Sequence, residues 1–242
     1  MVGIRRAIAL LILGFFGTQF SITAWLGPDE LMACYTGLGL VYLLAFFGVA
    51  AQWFWARWFA MGVGHFGALP LLLVFQVGPE PLLLLFGGVH LLVTVLLMGE
   101  GMASSYERSE KVQERWNFQE ESLVLLRRGI KSAGTTLPFL ILYTLAPRSE
   151  WMQLGTLALG LVGLVGLLRA RVWGVLALGV AGLGALLDGL GVFGEPIVGY
   201  LQLQTDGSPM VLYGQIGLLA GGLLLIPAVF APACIRFLRR RA

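Results

Sequence analysis

The sequence predicts an all-α integral membrane protein, a bundle of about eight transmembrane helices. Three observations predict it. Of the 242 residues, 58% are apolar and 12% charged, where a soluble domain carries about 25% charged residues. The apolar residues gather into stretches that approach the roughly 20 residues needed to cross a hydrocarbon core. The third observation is charge placement. Of the 16 Lys and Arg residues, all but Arg148 fall in every second polar break. They are Arg5, Arg6, Arg57, Arg108, Lys111, Arg115, Arg127, Arg128, Lys131, Arg169, Arg171, Arg236, Arg239, Arg240 and Arg241. Basic side chains resist translocation, so these breaks are expected in the cytoplasm together with both termini. A multi-pass protein of a bacterial cytoplasmic membrane is the expectation.

The expected spans cover 7–26, 31–55, 58–77, 81–102, 133–146, 151–168, 172–193 and 210–235. The first follows Arg5 and Arg6 and lacks a good cleavage site, so it reads as an uncleaved span. The fifth is short, but the alternation of basic breaks requires it. Outer turns carry Gly, Pro and carboxylates at 27–30 and 78–81, and Pro, Ser and Glu at 147–150. Trp25, Trp53, Trp55, Trp58, Trp151 and Trp173 stand at span ends, where an indole is half wet. The chain then divides into helices one to four (1–103), a cytoplasmic amphipathic connector (104–132), and helices five to eight (133–242). Ala56-Arg57 and Ala170-Arg171 open spans four apart, each followed by Glu-Pro, which suits a 4+4 parallel duplication.

In the connector, Ser104 and Glu107 have capping-box spacing. Trp116, Leu123, Leu126 and Ile130 recur at helical spacing opposite charges. That face is expected to lie on lipid or to dock a partner, with Trp116, Leu123 and Leu126 as its contacts. Glycine makes up 34 residues. Gly160, Gly163 and Gly166, then Gly179, Gly182 and Gly184, mark close helix packing, and Gly217 with Gly221 forms a strict GxxxG.

Ionisable groups inside a bilayer are costly, so each is a candidate for function. They are His65, His90, Asp188 and, at a span end, Glu100. The histidines fall in the inner half of consecutive antiparallel helices. Three readings compete: structural hydrogen bonds between helices, a proton relay from Asp188 to the histidines, and haem b held by His65 and His90. Helices joined by a tight turn pack at about 8–10 Å, narrow for two imidazoles and an iron. Candidate partners for Asp188 are Thr156, Tyr200, Tyr213 and Gln215.

Catalytic patterns are absent. Phe86 to His90 supplies one FxxxH element of an intramembrane protease, but Glu120-Glu121 follows it with the wrong spacing. There is no P-loop or HExxH. Cys34 and Cys234 are expected at opposite depths and form no metal or redox pattern. The net charge of +3 suits anionic headgroups and does not point to nucleic acid. The expectation is a non-catalytic membrane subunit or scaffold, in contact with the bilayer and other membrane subunits, without a cofactor. The alternatives are a small proton-coupled transporter using Asp188, His65 and His90, and an electron-transfer subunit linked to haem b or quinone.

Overall fold

A computed structural model of the protein describes residues 2–107, 120–143, 150–168, 171–193, 198–200, 211–213, 221, 222 and 224. The described residues are overwhelmingly helical, with one short strand pair. They form two compact units, Met1–Pro138 and Phe139–Ala242.

In the first unit, α1 (Val2–Leu26) and α2 (Asp29–Ala50) form an apolar pair joined at Gly27 and Pro28. Helix α1 and residues Leu31–Ala50 of α2 each have a mean hydropathy of 1.8 and are long enough to cross a membrane. Ile4, Leu11, Phe15, Ile22, Trp25 and Leu26 make the exposed side of α1 largely apolar, whereas Ala9, Leu13 and Gly17 are buried. Small buried residues let the pair approach closely. A Cβ on Gly17 would stand 3.0 Å from Leu43.

Helix α2 ends at Ala50, five residues before the expected end of span two. Trp53 N–H reaches back to the Gly48 carbonyl at 3.0 Å, and Gln52 takes a left-handed φ of 56°. The expected third span is not one continuous helix. Helix α3 (Ala56–Ala68) passes into a 3₁₀ turn (Leu69–Leu73) and the short α4 (Val74–Val77). Pro70 explains the change, because it has no N–H for the carbonyl one α-turn back.

Span four is bent. Helix α5 (Pro81–Leu97) starts on Pro81, suited to a first helical position. It stops where Met98 is extended and Gly99 has a φ of +100°. Helix α6 (Glu100–Glu107) leaves at 72° to it. The two pass together as one span by composition, giving up to three membrane-crossing helices among the described residues. Helix α5 packs between α1 and α3, and α2 also touches both of those helices.

Helix α7 (Glu120–Tyr143) joins the second half of the expected connector to the expected fifth span without a break. The boundary between units falls inside it, after Pro138. Within the first unit, α7 crosses α3 backbone to backbone. A Cβ on Gly62 would collide with the Lys131 carbonyl and lie 2.9 Å from Gly134 Cα.

In the second unit, α8 (Glu150–Leu168) packs against α9 (Val172–Gly189). The expected glycine face is real in part. Cβ atoms on Gly163 and Gly166 would lie 2.6 Å from Leu178 and 2.5 Å from Gly174, whereas Gly179 and Gly184 have open space. Trp173, Leu176, Val180 and Leu183 form an exposed apolar stripe along α9. Gly191, with a φ of 78°, ends this segment. Strands β1 (Val198–Tyr200) and β2 (Val211–Tyr213) pair antiparallel, with Gly199 opposite Leu212. Within the expected eighth span, residues Val211–Tyr213 are therefore strand and not helix. Most of that span lies outside the described residues, as do Trp116 and Gly217.

Candidate functional site

Most buried polar groups of the described residues fall into three clusters. The first lies in the first unit, where α5 ends. Here α3 delivers Arg57 and Trp58, α6 delivers Glu107, and α7 delivers Arg127. Glu107 Oε1 accepts from Arg57 Nη2 and, at 2.6 Å, from Trp58 Nε1. Its Oε2 accepts from Arg127 Nη2 at 2.6 Å. The Glu107 side chain is 2% exposed and that of Arg57 7%, whereas Arg127 is 42% exposed. The Arg127 guanidinium also lies 5.8 Å from the centre of the Trp58 ring.

Arg57, together with Arg5 of α1, also finishes α5. Arg57 Nη1 donates to the Leu97 carbonyl at 3.0 Å, and Arg5 Nη2 donates to Val95 and Met98 carbonyls at 2.9 and 2.6 Å. A helix end leaves carbonyls unpaired and partly negative, so guanidinium groups suit it. Close by, Tyr106 donates to the Val49 carbonyl at 3.0 Å. Burial raises the Tyr106 phenol above its ordinary value, against the opposing charges of Arg6 and Arg57. Burial, and then the charge of Arg57, lower the Lys131 ammonium.

Two expectations fail here. Ser104 and Glu107 do not form a capping box, because α6 starts at Glu100 and Ser104 Oγ donates to the Gly101 carbonyl. Trp58 is fully buried and is not a belt residue, whereas Trp25, Trp53, Trp151 and Trp173 are exposed.

The second cluster surrounds His90 on α5. Its Nδ1 lies 2.7 Å from the Phe86 carbonyl and its Nε2 lies 2.6 Å from the Tyr42 hydroxyl of α2. A carbonyl only accepts, so Nδ1 carries hydrogen, and in the neutral ring Nε2 accepts from Tyr42. Phe16 of α1 and Phe86 stand 4.4 and 4.3 Å from the imidazole centre. From α3, Gly67 leaves the room that the ring fills, since a Cβ there would collide with it. One residue thus joins four helices. Thr94, one turn along, donates to the Met61 carbonyl at 3.4 Å. His65 is half-buried on α3 and is not bonded to either nitrogen of His90. A haem ligand at His90 would need one of these two bonds to open.

The third cluster lies in the second unit. Tyr143 at the end of α7 donates to Asp188 Oδ2 at 2.6 Å, and both residues are fully buried. Tyr143 was not among the partners expected for Asp188. Thr156 is buried too, without a bond to Asp188 Oδ2 in view.

Of the other candidates, Glu100 is exposed at the start of α6 and Leu123 is half-exposed on α7. Leu126 lies on α7. Gly221 packs internally, where a Cβ would lie 2.6 Å from Leu186. Arg57, Glu107, Trp58, Tyr42 and Tyr143 were not singled out as site residues from sequence. The signals were an Arg and a Trp opening an apolar run, and tyrosines inside spans. Comparison with protein-family models, curated proteins and solved structures finds no match.

Proposed function

We propose that the chain is a non-catalytic subunit or scaffold of a larger membrane complex, built as a bundle of about eight transmembrane helices with both termini cytoplasmic. The observation that carries this reading is how the candidate chemical groups are used. His90 spends both ring nitrogens on Tyr42 and Phe86, Asp188 accepts from Tyr143, and Glu107 accepts from three side chains. Each of these bonds ties one helix to another or pins a side chain within its own. Polar groups spent this way hold a bundle together in lipid. The exposed apolar faces of α1, α5, α8 and α9 suit contact with lipid or with other membrane chains.

Purification in mild detergent, followed by mass spectrometry and an absorption spectrum, tests the reading. Stoichiometric companion chains are expected. A monodisperse chain without companions refutes it, and a Soret band points to haem b at the histidines instead. The broken helix at 69–73 favours a second reading, a proton-coupled transporter using Asp188, His65 and His90, because transporters place irregular backbone within the bilayer. Uptake by reconstituted vesicles that collapses on Asp188→Asn would favour that reading.

A further inference from the structure

We propose that Arg127 and Lys131, backed by Arg57, bind the phosphate of an anionic phospholipid headgroup in the cytoplasmic leaflet. Three observations lead there. Among the described residues the cluster is unbalanced in charge: Arg57 and Arg127 share the carboxylate of Glu107, and Lys131 lies close enough for the charge of Arg57 to act on it. The cations also keep unspent donors. The Nε–H groups of Arg57 and Arg127 are buried and meet no acceptor among the described residues. Glu107 therefore does not saturate the two guanidinium groups, and a phosphate group offers several oxygens to the open edge of Arg127.

The third observation is position. The cluster sits where α5 ends and Arg5 and Arg57 cover its last carbonyls, so it lies at headgroup level for a span that stops there. Arg127 and Lys131 are one turn apart on α7, and Arg127 keeps 42% of its side chain open while Glu107 and Arg57 lie behind it. A phosphate can therefore approach from the Arg127 side without breaking the Glu107 bonds. A diester headgroup brings its acyl chains to the exposed apolar helix faces. Free inorganic phosphate shares the headgroup chemistry but has nothing to lay on those faces.

The site rests on the membrane placement proposed above, not on the subunit reading. Detergent-extracted, delipidated protein is titrated with phosphatidylglycerol, phosphatidylcholine or inorganic phosphate. Binding is read by native mass spectrometry and by thermal shift. Phosphatidylglycerol should bind and stabilise, and the other two should not. Lys131→Gln leaves the Glu107 bonds intact and should weaken phosphatidylglycerol binding about fivefold. Arg127→Gln should weaken it further, while Arg128→Gln, on the exposed flank, should not. Equal binding of phosphatidylcholine, or unchanged affinity in Lys131→Gln, overturns the site. An equal shift with inorganic phosphate alone overturns the lipid as its source. A chain found in the soluble fraction refutes the membrane placement, whereas an extracted chain indifferent to lipid charge refutes only the site.

Discussion

Replacing Glu107 by Leu should be the most damaging change to the first unit. The carboxylate is 2% exposed and takes one donor each from Arg57, Trp58 and Arg127. Removing it strands the Arg57 guanidinium, whose side chain is 7% exposed. Breaking a buried pair from one side costs about 3–5 kcal/mol. The half-exposed Arg127 adds little, since solvent screens it to about 1 kcal/mol or less. At about 2–4 °C per kcal/mol for a chain of this size, Glu107→Leu should lower Tm by about 6–20 °C. Thermal unfolding in detergent, followed by tryptophan fluorescence, reads it. Glu107→Gln keeps an acceptor for Trp58 and should fall between Leu and wild type. The double change Arg57→Met with Glu107→Leu removes both charges and should recover most of the loss. A Glu107→Leu protein within about 2 °C of wild type would refute the reasoning, because the carboxylate would then be solvated or mobile.

Gly62→Ala should destabilise by about 1–3 kcal/mol, because the added methyl meets the α7 backbone at Lys131 and Gly134, while Gly88→Ala, with open space around it, should be near neutral; equal effects in thermal unfolding would discount the crossing. Asp188→Asn should keep the Tyr143 bond and leave stability and assembly intact, whereas Asp188→Leu should lower stability by about 1–3 kcal/mol by stranding the Tyr143 hydroxyl; a wild-type Tm for Asp188→Leu would sink the buried placement. Burial and Arg57 hold the Lys131 ammonium below its ordinary value of 10.5, so the unfolded chain binds that proton more tightly. Its contribution to stability therefore rises with pH up to about 10.5 and is a penalty below the lowered value. Lys131→Met should flatten that rise in pH-dependent melting, and an unchanged slope would show that the ammonium is solvated.

The long apolar helices were legible because their signal is local. Helices α1 and α2 are uninterrupted runs, and composition alone separates them from water-soluble elements. The breaks were written in single residues, Pro70 in span three and Gly99 in span four, whose consequence depends on whether neighbouring helices tolerate the lost backbone bonds. Glu107 was misread because Ser104-x-x-Glu107 has the spacing of a cap. The partners that claim the carboxylate, Arg57 and Arg127, stand 50 and 20 residues away and leave no trace in a local pattern. Trp58 was misplaced for the same reason: position at a span end does not distinguish an indole facing lipid from one facing a carboxylate. His90 and Asp188 were found through the cost of burying them, but Tyr42 and Tyr143 came from helices that only packing could bring close. Strands β1 and β2 are three residues each, too short for alternation to register.

The membrane placement is tested most directly by labelling from one side of the membrane. In a background with Cys34→Ala and Cys234→Ala, single cysteines are introduced by Ser208→Cys and Ser109→Cys and probed with an impermeant thiol reagent on intact cells. The distribution of basic residues, all but Arg148 in the breaks assigned to the cytoplasm, predicts that Ser208→Cys is labelled and Ser109→Cys only after lysis. Labelling of Ser109→Cys from outside, with Ser208→Cys protected, would contradict it.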